Sequence, residues 1–325
     1  MKRVLKGSVF FLIGLNLQCG YMAVKFAPEK KNMVAETSLR QKANDFFWNI
    51  FNNNQYKEID TGLNLLTAAY LENPSDGEVA ARIGWLHIWK LSERAKDPKA
   101  NARITEHATL CKKYFTEAYD LKPDPRYLGF KASCMLAEGS IHKNEKIIRE
   151  GYFLMKDAIS DWPQFNYFTG GYVMSSRDYK SKQFKEAVEW QWENLDNCLD
   201  DTVDRSNPDI AASMPAFEKL IQDREYSVCA NNQVAPHNFE GFFLNFGDML
   251  VKAGQVEVAK IMYKNARLIK DYQSWQYKGV LENRIKNAEV NVEFFRKQLD
   301  RSKTPDSGQV IMFNSEFSCM GCHQN

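Results

Sequence analysis

Between Glu36 and Asp300 apolar residues recur at helical spacing, while segments with the two-residue alternation of a strand are scarce. The clearest stretch runs from Asn238 to Tyr272, NFEGFFLNFGDMLVKAGQVEVAKIMYKNARLIKDY. Phe243, Phe246 and Leu250 share one helical stripe with Gly247 as a small contact point, and Gly254 breaks the chain. Ala259, Tyr263 and Ala266 then give the next helix a small-large-small face, which two closely packed antiparallel helices require. Weaker copies precede it. Cys111, Phe115, Ala118 and Pro123 repeat the second-helix pattern, with Ile83-Gly84 and His87 in a first helix upstream. Gly151, Met155, Ala158 and Pro163 repeat it again below Leu128-Gly129, as do Gly62, Leu66, Ala69 and Pro74. A degenerate copy runs from Phe168 through Ala187 to Asn194. The pattern predicts an all-α chain of about five helix pairs.

The Asn238–Tyr272 unit resembles the tetratricopeptide repeat (TPR), whose units are about 34 residues long. Phe243 stands where that family has Trp, Phe246-Gly247 for its Leu-Gly, and Leu250 for its Tyr. Gly254, Ala259, Tyr263 and Ala266 fall on its turn glycine, small alanine, aromatic and second alanine; the closing proline is missing, with Asp271 near its place. The resemblance implies a TPR-like α-solenoid over residues 36–300, with a concave groove that docks protein partners. Ser274 to Leu299 reads as one long amphipathic helix, with Leu281, Ile285, Ala288, Val292, Phe295 and Leu299 on one side. Such a helix is expected to cap the array. The segment DRSKTPDSGQ then breaks structure, and residues 301–325 are expected to form a linker and an extended tail.

The first 19 residues resemble a bacterial export signal. Lys2, Arg3 and Lys6 precede an apolar run, Val9 to Leu17, shorter than the roughly 20 residues a membrane span needs. Cys19 closes that run where a lipoprotein carries its lipidated cysteine, although Gln18 replaces the usual small residue. Lipidation at Cys19, simple cleavage and an uncleaved anchor are all open, and each puts the chain outside the cytoplasm as a periplasmic, membrane-anchored or extracellular protein. In that compartment Cys111, Cys134, Cys198 and Cys229 can form two disulfides, with three connectivities open, or remain buried thiols. Pairing neighbours would staple consecutive helical units.

Near the C-terminus stands Cys319-Met320-Gly321-Cys322-His323. This string resembles the haem-attachment motif of c-type cytochromes, in which two thiols bond the porphyrin vinyl groups and the next histidine binds the iron. The resemblance implies one covalent haem c on Cys319 and Cys322, with His323 as the proximal ligand. A redox CxxC, a zinc pair and a plain disulfide compete with it. The first lacks a βαβ setting and the second lacks further nearby ligands, whereas a disulfide across two residues is strained. For the sixth iron ligand the candidates are His237, His87 between Trp85 and Trp89, and Met312, or an open position. His107 and His142, near loops or insertions, read as solvated.

Forty-three basic residues against 41 acidic ones give a net charge of +2, which argues against a nucleic-acid binder. Asp196, Asp200, Asp201 and Asp204 lack the spacing of a calcium loop and read as a solvated face. The sequence therefore points to an exported monohaem c-type cytochrome on a TPR-like scaffold, transferring single electrons to a redox partner or between copies of itself. Two alternatives stand beside it: a non-redox scaffold whose last cysteines form a disulfide, and a haem ligand sensor or peroxidase.

Overall fold

The computed structural model describes residues 20–96, 103–223, 225–297 and 317–325. The segment 1–19, with Cys19, lies outside the described residues, as does the stretch 298–316 that holds Met312. Among the described residues the regular structure is all helix, with no strand, and no helix is long and apolar enough to cross a membrane.

The helices pack as consecutive pairs: α1 (Ser38–Asn52) with α2 (Ile59–Glu72), α3 (Gly77–Ser92) with α4 (Ile104–Leu121), and α5 (Pro125–His142) with α6 (Glu145–Asp161). Then follow α7 (Pro163–Met174) with α8 (Lys182–Leu199), the short α9 (Met214–Leu220), and α10 (Asn238–Ala253) with α11 (Val256–Asn265). Local chemistry sets the boundaries. Thr37, Asp76, Asp124, Asn144 and Ser181 each turn a side-chain oxygen onto the first free amides of the helix that follows. Gly254, at φ 93°, closes α10 in the left-handed region that other residues avoid. The Asp76 cap also takes Arg40 Nε at 2.6 Å, which ties the start of α3 to α1.

Within two pairs a glycine brings the backbones together over an aromatic ring. A Cβ on Gly84 would lie 2.7 Å from the Phe115 ring of α4, and one on Gly247 would lie 2.2 Å from the Tyr263 ring of α11. Tyr263 is fully buried, and its hydroxyl bonds Asp248 Oδ1 at 2.5 Å. Asp248 pairs in turn with buried Arg284 at 3.2 Å, so this charge is compensated inside the core.

Two expectations need correction. The stretch from Ser274 is not one long helix: it divides into α12 (Lys278–Lys286) and α13 (Ala288–Lys297), with Leu299 outside the described residues. Asn287 leaves helical geometry at φ −109° and ψ 18°, and its side chain bonds Asn283 instead. An asparagine that satisfies itself locally competes with the helix ladder. Nor is the tail extended where it is described. Residues 317–325 form a buried turn, α14 (Met320–His323), set against α1 and α10. Phe317 belongs to the core of the C-terminal half and Met320 to that of the N-terminal half, so this turn bridges two apolar clusters.

Gly247→Ala should destabilise the chain by about 1–3 kcal/mol through overpacking against Tyr263. A thermal melt unchanged from wild type would show that the α10–α11 approach is looser than described.

Candidate functional site

The motif turn is held by a carboxylate distant in sequence. Glu93, just past the end of α3, is fully buried, and its Oε1 accepts the amides of Cys319 at 2.8 Å and Met320 at 2.9 Å. Its Oε2 takes Trp89 Nε1 at 2.8 Å and Lys96 Nζ at 2.6 Å. Burial raises the Glu93 pKa, and the Lys96 ammonium works against that rise. On the other side Trp275 Nε1 donates to Gly321 O at 2.9 Å and the His237 amide to Cys322 O at 3.0 Å. Asn325 N reaches Asn52 O at 3.1 Å.

The two thiols face different elements and are not bonded to each other. Cys319 Sγ lies 3.0 Å from Ser92 Oγ at the end of α3, and the Tyr172 hydroxyl also reaches Ser92. Cys322 Sγ sits over Gly241 of α10, where an added Cβ would come within 2.2 Å of the sulfur. Burial raises both thiol pKa values, with Glu93 adding to the rise at Cys319 and Glu240 to that at Cys322, which reaches about 12. A redox or nucleophilic cysteine needs the opposite shift, so these thiols are poor exchange catalysts.

His323 completes the turn with its ring centroid 5.0 Å from that of Phe51. Its Nδ1 lies 2.8 Å from Val234 O, an acceptor that keeps the ring proton on Nδ1 and leaves the Nε2 lone pair for a metal. The ring opens onto the cavity described next but lies deep below the surface, and burial lowers its pKa.

Cys319, Cys322 and His323 all line one cavity of about 1120 Å³. Aromatic rings dominate its wall, among them Phe51, Trp85, Phe130, Phe165, Phe168 and Phe242. Ligand pockets run to about 1,000 Å³, so this space suits a large flat apolar group. Both disulfides present, Cys111–Cys134 and Cys198–Cys229, lie in the same wall. They join α4 to α5, and the end of α8 to the loop before α10. The residues fit a covalent haem on three counts. Two protonated, unbonded thiols reach the cavity three positions apart, the adjacent imidazole has its metal-binding nitrogen free, and the wall is apolar. They fit zinc poorly, since among the described residues no three His, Cys, Asp or Glu side chains converge.

The proposed distal ligands are not brought to this cavity. His87 is buried and shares a 2.9 Å Nδ1···Nδ1 contact with His107, which makes His107 a core residue rather than a solvated one. The pair sits inside the N-terminal half because α3 and α4 pack face to face there. His237 is buried too, 3.2 Å from Glu240 Oε1, and it supports the motif turn through its backbone rather than presenting its ring. His142 is exposed at the end of α5. The acidic cluster is partly internal, since Asp196 holds Arg205 with both oxygens at 2.7 and 2.5 Å.

Several functional contacts escape sequence reading. Glu93, Ser92, Tyr172 and Trp275 carry no local signal, whereas Gly241, a glycine inside an otherwise helical run, does carry one. Comparison with protein-family models, curated proteins and solved structures gives no match to this chain.

Two outcomes follow from the geometry. Glu93→Ala removes the acceptor of two amides, and bonds to a charged acceptor are worth about 1.5–3 kcal/mol each. Hydrogen exchange at Cys319 and Met320 should then quicken by at least about tenfold; unchanged exchange would mean that Glu93 does not hold the turn. Burial lowers both histidines of the buried pair, His87 to about 3. The fold favours their neutral forms, so their contribution is complete above the ordinary value of about 6.5 and is lost as pH falls toward 3. Acid titration of the melting temperature should therefore steepen below about 6.5 and flatten in His107→Gln. Identical pH profiles would remove the pair from the account.

Proposed function

We propose that this chain is an exported c-type haem protein on a TPR-like α-solenoid, carrying one haem c in the interior cavity. Cys319 and Cys322 are the attachment thiols and His323 the proximal ligand. The observation that carries the reading is the joint placement of these three residues on one large aromatic-walled cavity, with His323 Nδ1 already committed to Val234 O. Bound there, a haem supplies a one-electron couple at its iron.

The protein's own part is to orient and to exclude water. Gly241 gives Cys322 room, and Glu93 fixes the peptide planes on either side of Cys319. Val234 sets the tautomer of His323, which raises its basicity as a ligand. Phe51, Phe130 and Phe242 keep the interior apolar. Electrons then pass at the cavity mouth to a redox partner or another copy, with the helical array as the docking scaffold. Nucleic acid has no place in the reading, and the membrane enters only through an N-terminal anchor. The rival scaffold with a terminal disulfide finds no support in thiols that point at different helices.

The test is the intact mass and visible spectrum of the protein exported from a host that matures c-type haem. Wild type should gain the mass of one haem, and Cys319→Ala/Cys322→Ala should gain none. A haem-free wild-type mass from that host would end the reading.

A further inference from the structure

The positions of the histidines bear on the iron's remaining ligand. The chain has five of them, and all five lie among the described residues. His323 alone lines the cavity; His87 and His107 occupy each other, His237 stands against Glu240, and His142 faces solvent. No methionine or lysine stands among the cavity-lining residues, and four of the six cysteines described are closed in disulfides. Tyr172 does line the cavity, but its hydroxyl sits by Ser92 and Cys319 on the motif's own side, where burial keeps it protonated. Met312 lies outside the described residues and enters the test below.

The cavity also selects by charge. Its interior is aromatic, while Asp124, Asp161, Asp223 and Glu225 stand in the lining with a single cation, Arg126, which is already paired with Asp124 at 2.6 Å. Carboxylates in such excess repel an entering anion, and an apolar interior makes its desolvation costly. A small neutral molecule meets neither barrier.

Resting on the haem reading above, we propose that the sixth coordination position of the iron is open and takes a neutral diatomic ligand. The cavity is thus a gas-binding pocket, and electron exchange at the iron responds to its occupancy.

Carbon monoxide added to the reduced, haem-loaded full-length protein is the probe. Intact mass is measured first, because a haem-free chain overturns the haem reading and this proposal with it. With one haem present, the expected spectrum before addition is high-spin, and carbon monoxide should shift it saturably at one ligand per haem. Azide offered to the oxidised protein should bind at least tenfold more weakly than it binds free haem in detergent; equal binding overturns the selectivity for neutral ligands. A low-spin spectrum indifferent to carbon monoxide overturns the open position. If Met312→Ala then restores carbon monoxide binding, Met312 is the sixth ligand and the proposal is wrong in that specific way.

Discussion

A single buried carboxylate organises this molecule. Glu93 has no water to solvate it, and a charge in that position is tolerable only when its oxygens are fully engaged. Two of its donors come from its own neighbourhood, Trp89 and Lys96, and two from the backbone of the motif turn. Seating the turn therefore satisfies the carboxylate, and the carboxylate fixes the turn. Met320 can then enter the N-terminal core while Phe317 enters the C-terminal one. The contacts of Trp275 and of the His237 amide lock the same turn from the other half.

That arrangement answers how a haem motif so near the end of the sequence can belong to an interior site. The enclosing surface comes from residues 51 to 243, far from the motif in sequence, and the turn supplies only the reactive atoms. For the proposed haem, a low-dielectric wall disfavours the more highly charged oxidised iron and so raises the reduction potential. The thiols follow the same logic. Burial that makes Cys319 and Cys322 reluctant to ionise also protects them from stray oxidation.

Much of the helical order was legible because it rests on local spacing. Apolar positions at three and four residues identify α10 and α11, and capping residues such as Asp124 followed by Pro125 mark starts that need no tertiary information. The break at Asn287 was missed because the apolar stripe continues across it, and a stripe carries no mark of where one polar side chain turns back on itself. The three motif residues were readable from their own spacing. Their surroundings were not, since a buried acid at a helix end looks in sequence like any exposed glutamate. His87 and His107 mislead for a related reason: an apolar neighbourhood predicts burial but does not say which cavity, if any, the ring will face.

The contact between Glu93 and Cys319 spans 226 positions of chain. Contacts of such separation carry a large loop-closure entropy and form after local helix pairs have consolidated. The turn is therefore a late arrival in folding, and its thiols stay accessible to modifying enzymes until it docks. Docking ends that access by burying Cys322 over Gly241. The order of events, chemistry on the cysteines first and closure of the core second, is thus written into the distance between two residues rather than into any feature of the site itself.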